Sequence, residues 1–241
     1  MQGTLLLAQT EFNRLRRNRR YFLFTLALPV VLYLIVAKQG KSAYGVNFSA
    51  YYMVAMATLG AFSGALNGNA IRISEERKLG WIRQLRLTPL PANGYVVAKL
   101  LVSMATTIPS IVIVFLLGYF YGGVRMAAWE WIVVGIVVWL GSMIFAALAV
   151  AIGYRFPPDQ VQPITALIFF GFAILGGVWF PLSGGLQKIG EVTPTYEAVK
   201  ISTDVIGGTS VPIGLIAGLM IWLLIFAGLA VLSVRATAET V

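Results

Sequence analysis

The chain contains no histidine and no cysteine, so the residues that could do chemistry are its nine carboxylates, its hydroxyls and its lysines and arginines. That inventory excludes a Cys/His zinc site, a haem ligand set, a disulfide framework and any Ser-His or Cys-His nucleophile. No Gly-x-x-x-x-Gly-Lys-Ser/Thr run is present, so no phosphate-cradling loop for ATP is expected in this chain. The carboxylates Glu11, Glu75, Glu76, Glu130, Asp159, Glu191, Glu197, Asp204 and Glu239 all fall in expected loops, termini or interfaces. A proton- or sodium-coupled carrier usually places an ionisable group or a broken helix at the midplane. Its expected absence argues against secondary transport, and equally against a hydrolase built on paired intramembrane carboxylates.

The most informative run is 74–89, Ser-Glu-Glu-Arg-Lys-Leu-Gly-Trp-Ile-Arg-Gln-Leu-Arg-Leu-Thr-Pro. Glu75 and Glu76 suit the positive end of a short helix, Arg83 and Arg86 its negative end. Pro89 stops it, and Thr88 is biased out of helical geometry by the proline that follows. Leu79, Ile82 and Leu85 recur on one face with Trp81 beside them. Such a helix docks into a partner's groove or lies solvated on the membrane surface, and the pattern alone leaves both open.

The elements that must position this run are membrane spans. The chain has 241 residues, 59% of them hydrophobic and only 11% charged, and its mean hydropathy is +0.83. A soluble fold of this length cannot hide so much apolar surface, so lipid is its solvent. Long, unalternating apolar segments favour helices over a barrel. The fold class expected is all-α integral membrane, one domain with six spans near 21–37, 50–73, 96–121, 129–152, 164–180 and 211–234. Residues 181–210 form a long outer connection.

Before the first span, Leu5, Ala8, Phe12 and Leu15 fall on one helical face, with arginines including Arg16 and Arg17 following. Residues 1–20 therefore read as a helix lying in the interface, or as a plain basic flank that sets topology. With the N-terminus inside, 13 of the 18 basic residues fall on the inner side. The asymmetry predicts both termini in the cytoplasm, and it accounts for the net charge of +9 without nucleic acid.

Within the spans, Gly60, Gly64 and Gly68 recur every four residues, a stripe that lets another helix come close, either inside one subunit or across a dimer seam. Asn67 lies near the inner end of the same span. Phe169, Phe172 and Trp179 make the fifth span aromatic. Together with Asn67 they are candidate pathway residues, with core packing and lipid contact as the plainer alternatives.

The pattern Glu76-Arg77-x-x-Gly80-x-x-x-x-Leu85-x-x-x-Pro89, then Lys99-Leu100-Leu101 entering the third span, resembles the membrane subunits of ABC-2 (type V) ABC transporters. So does the outer stretch Gly176-Gly177-Val178-Trp179-Phe180-Pro181, continued by Leu186, Ile189 and Pro194-x-Tyr196. The resemblance covers nearly the whole chain, although Trp81 stands where the family often has threonine. It implies an exporter permease for a hydrophobic or amphipathic compound, with ATP and Mg held by a separate ATPase in two copies. It implies a second permease subunit, an identical copy being expected, in a bacterial or archaeal cytoplasmic membrane. It makes 74–89 the coupling helix, with Glu75, Glu76, Arg77, Gly80, Trp81, Arg83, Leu85 and Pro89 facing the ATPase, Phe12, Arg16 and Arg17 a second contact, and 181–210 a re-entrant outer segment. A lipid-linked polysaccharide exporter, and a channel or ion-coupled carrier working without ATP, are the alternative readings.

Overall fold

The structure, a computed structural model, describes residues 2–16, 19–88 and 94–239. Its order is α1 (Gln2–Arg16), α2 (Arg19–Val36), a hairpin of β1 (Ser42–Ala43) and β2 (Val46–Asn47), α3 (Phe48–Lys78), α4 (Trp81–Arg86), α5 (Gly94–Phe120), α6 (Ala128–Arg155), α7 (Pro158–Leu175), α8 (Gly184–Gly190), α9 (Pro194–Ile206) and α10 (Ile213–Glu239). The protein is an all-α membrane protein. Among the described residues, α3, α5, α6, α7 and α10 are long and apolar enough to cross a bilayer, and Thr25–Val36 in α2 is a shorter apolar stretch. The hairpin turns on Tyr44 and Gly45, at φ 50° and 82°, the paired left-handed geometry of a tight two-residue turn.

The helices differ in how they meet their surroundings. α3 is the central one, with 94% of its apolar window buried at a mean hydropathy of only 1.2. α10 is the most apolar, at 2.7, and the least buried, at 11%. The inverse relation has a simple cause. A helix facing lipid finds no polar partner there, whereas one enclosed by protein can carry polar and small residues that bond to neighbours. α3 packs against α2, α5, α6, α7 and α9.

Small residues make those close approaches. A Cβ on Gly60 would collide with Ser110 Oγ of α5 and would lie 3.2 Å from Pro29 Cγ of α2, so three helices meet there. A Cβ on Gly153 of α6 would come within 2.7 Å of Ile73 in α3. Gly64 is buried and Gly68 half-buried along the same helix. Gly60 is therefore committed to packing within this chain, not to a dimer seam.

Several sequence expectations need correction. The helix of the second span continues past residue 73: α3 runs unbroken to Lys78, 31 residues or about 46 Å, longer than the hydrocarbon it crosses. Glu75 and Glu76 thus close α3 and do not open the short helix, which is confined to Trp81–Arg86. The most buried residues of α1 are Thr4 and Glu11, with Leu7, Ala8 and Phe12 half-buried beside them, so of the expected stripe Leu5 does not face inward and the Leu15 side chain lies outside the described residues. Leu5 is 59% exposed, because the face is set by α5, against which α1 packs.

Candidate functional site

The break between α3 and α4 is made by Gly80, whose φ of +73° belongs to the left-handed region and stops α3 two residues after Lys78. The chain restarts at once, and Gln84 N donates to Gly80 O at 3.1 Å. Ile82 is buried and belongs to a cluster that includes Ile73, Tyr95, Val150, Ala151, Tyr154 and Ala230. Leu85 is half-buried against the same cluster. These two side chains hold α4 to that cluster, and α4 packs against α3.

The other side of the connection faces outward. Leu79 is 79% exposed, Trp81 42% and Leu87 87%, with Glu75, Lys78, Arg83 and Gln84 also exposed around them. Leu79 therefore does not share a face with Ile82 and Leu85, because it lies before the helix begins. Leu79, Trp81 and Leu87 thus leave apolar surface uncovered within this chain.

Behind α4 lies a buried charge cluster. Lys99 Nζ on α5 sits 2.8 Å from Glu11 Oε2 on α1 and 2.8 Å from Glu76 Oε1 on α3. Tyr95, one turn earlier on α5, donates its hydroxyl to Glu76 Oε2 at 2.6 Å. The Lys99 side chain is only 2% exposed, and those of Glu11 and Glu76 are 8% and 10% exposed. One cation thus ties three helices, and both Glu76 oxygens are bonded. Next to it, Arg77 donates to the carbonyls of Tyr154 and Phe156, and Ser74 Oγ donates to Phe156 O at 2.9 Å. The end of α3 is therefore locked to α1, α5 and α6 at once.

These contacts sort the expected coupling residues. Glu75, Trp81 and Arg83 lie on the outward surface, and Gly80 makes the turn beneath it. Glu76 and Arg77 do not present their charges to a partner, because both are already bonded within the chain, and Leu85 faces inward. Phe12 is half-buried on α1, and Arg16 is its last residue. Arg17 and Pro89 lie outside the described residues. Glu11, Tyr95 and Lys99 were missed as site residues. The signal was a lysine inside an apolar helix start, which demands a counter-charge, and an acid on α1 one turn from Leu7.

Of the candidate pathway residues, Phe169 is buried in the core and Phe172 is half-buried against it. Phe169 is tilted against Phe62, and Phe172 meets Phe62, Phe145, Trp222 and Phe226 edge-on. Trp179 is half-buried and edge-on to Phe170. Asn67 Nδ2 donates weakly to Ser63 Oγ at 3.4 Å within α3.

At the opposite end of α3, residues 176–206 fold back onto the bundle. Tyr51 donates to Gly177 O, and the Tyr44 hydroxyl accepts from Leu182 N at 2.8 Å. Burial pushes the Tyr44 phenol above its ordinary pKa, so it remains a hydroxyl. α9 begins at Pro194, capped by Thr193, and nearly its whole length is buried against α3, α6, α7 and α10. A Cβ on Gly141, midway along α6, would lie 3.5 Å from Ala198, so α9 penetrates among the long helices. It carries Glu197 with it, only 5% exposed. The expectation that all nine carboxylates stay in loops and interfaces fails here, because folding back is not visible in local hydropathy.

The arrangement defines a polytopic helical membrane protein with exposed apolar side chains at one end of α3 and a helical segment packed among the long helices at the other. Residues 35–234 match the family model described as ABC-2 family transporter protein, and the chain belongs to that family. It is also similar to "Putative transport permease YvfS" of Bacillus subtilis (strain 168), at 25% identity over 205 residues, 83% of this chain and 84% of that one. The chain is thus an ABC-2 type transport permease.

Proposed function

We propose that this permease is the membrane half of an ATP-driven exporter, and that a separate ATPase docks on the surface formed by Leu79, Trp81, Arg83 and Leu87. The observation that carries the reading is the two-sided build of 74–88. Its outward side is apolar and exposed, while its inward side is bonded to the ends of α1, α5 and α6. A push on α4 would be passed to α3, the most enclosed helix of the bundle. Two ATPase copies holding ATP and Mg would close on nucleotide binding and favour one arrangement of the permease over another through differential contacts. Glu75, exposed beside the surface, is the acid free to meet a basic group of the ATPase.

Both termini are placed in the cytoplasm, following the basic residues near α1, α4 and the end of α10. The cargo is a hydrophobic or amphipathic compound, drawn from the cytoplasm or the inner leaflet. Two permease copies would pair through α7. Its hydropathy of 1.2 equals that of α3, yet only 22% of its window is buried within the chain. Leu167, Phe170 and Ile174 are exposed along it, and Gly171 has open space where a Cβ would go.

The test is a pull-down of the tagged permease from native membranes, with Trp81→Ala and Leu87→Asp beside the wild type. A nucleotide-binding chain that co-purifies with the wild type and is lost from both variants supports the reading. A permease that purifies alone and moves solute without ATP overturns it.

A further inference from the structure

A second feature lies to the side of the coupling surface. Between the start of α5, the end of α6 and the end of α10 runs an apolar groove of about 350 Å³, within the size range of small-ligand sites. Its walls include Val96 and Leu100 on α5, Ala147 and Val150 on α6, and Ala230 on α10. The alanines leave the space that larger side chains would close. Arg235, on the last turns of α10, is exposed and is the charged residue of the lining.

We infer that this groove holds an anionic glycerophospholipid of the cytoplasmic leaflet, its phosphate on Arg235 and one acyl chain along α10. Three observations carry this. The lining on α10 runs from Ala227 to Arg235, about 12 Å along the helix, close to the roughly 15 Å depth of one leaflet. The cation stands at the end of the groove where headgroups lie, and basic pockets between helices on the cytoplasmic side select anionic headgroups. α10 is also the most apolar and least buried of the spans, which suits an acyl chain lying along it. The lipid lies against Val96 and Leu100, on either side of Lys99, and so touches the α5 segment that the buried charge cluster fastens. The inference uses the orientation proposed above but needs neither the ATPase nor the cargo.

The experiment is native mass spectrometry of the purified full chain in detergent, titrated with dioleoyl phosphatidylglycerol or dioleoyl phosphatidylcholine. The wild type is expected to retain one phosphatidylglycerol per chain, about tenfold more tightly than phosphatidylcholine. Arg235→Gln should lose that preference, Arg235→Lys should keep most of it, and Ala230→Phe should lose both lipids. Val97→Trp, at a half-exposed position on the groove's rim, should also exclude the lipid, and it decides the matter if Ala230→Phe fails to fold. Equal retention of the two lipids by the wild type overturns the inference, as does phosphatidylglycerol retention unchanged in Arg235→Gln and Val97→Trp. Conversion of a dimer to a monomer by Val97→Trp, with lipid count unchanged, would assign the groove to a second copy and overturn it as well.

Discussion

At the α4 end of the molecule Glu76 is buried with both oxygens committed, one to Lys99 and one to Tyr95. At the other end Glu197 of α9 is 5% exposed, and its Oε2 has no hydrogen-bond partner among the described residues. Gly218 of α10 sits against its other oxygen, so closely that a Cβ there would collide with it. The two carboxylates are equally hidden and oppositely treated. A paired buried charge fastens the helices that hold it, because breaking the pair strands an ion. A buried carboxyl without a partner is a cost carried by its surroundings. The α4 end is therefore built to move as one body with α1, α3 and α5, whereas the α9 end holds its acid by packing alone.

The strongest way to break this contrast is Lys99→Met. It leaves Glu11 and Glu76 buried without their cation, and a loss of about 3–5 kcal/mol is expected, read as a large fall in thermal unfolding temperature in detergent. A fall no larger than that of a surface variant would show that the cluster is not a fastening.

Next is Gly218→Val, which forces a side chain onto Glu197 and should cost about 1–3 kcal/mol by overpacking. The same unfolding measurement checks it. Full tolerance would mean that α9 and α10 are not held in the contact described.

The contrast itself is sharpened by a matched pair. Glu76→Gln should destabilise by about 1–3 kcal/mol, since the lysine loses a charged partner. Glu197→Gln should be neutral or stabilising, since it replaces a buried carboxyl whose Oε2 has no hydrogen-bond partner among the described residues. Equal losses in the two variants would refute the distinction.

The smallest stability effect is expected from Trp81→Ala. This half-exposed residue should change stability by no more than about 0.5 kcal/mol while abolishing co-purification of the ATPase. A large stability loss would instead make Trp81 an anchor of α4.

Much of the fold was legible in the chain. Hydropathy is a sum over neighbours in sequence, so it located the long apolar helices, the polar break at 74–89 and the outer stretch that follows the fifth span. Gly80, a short apolar helix and a closing proline were enough to carry the ABC-2 resemblance. Rotation about each helix axis was not legible. The inward face of α1 differs from the expected stripe because Glu11 is drawn to Lys99, 88 residues away. Whether Phe169 and Phe172 face a pathway, lipid or the core was left open by the sequence, and the structure packs both against Phe62 because α7 lies against α3.

By itself, then, the sequence determined that this protein lives in lipid, roughly where its helices begin and end, and which segment is polar enough to meet a partner. Only the tertiary structure decided that α3 is the enclosed helix, that Glu76 is a fastening and Glu75 is not, and that Glu197 is carried inward. The reason is that a helix's composition states what it can touch, whereas the partner it does touch depends on which other helix the chain brings alongside.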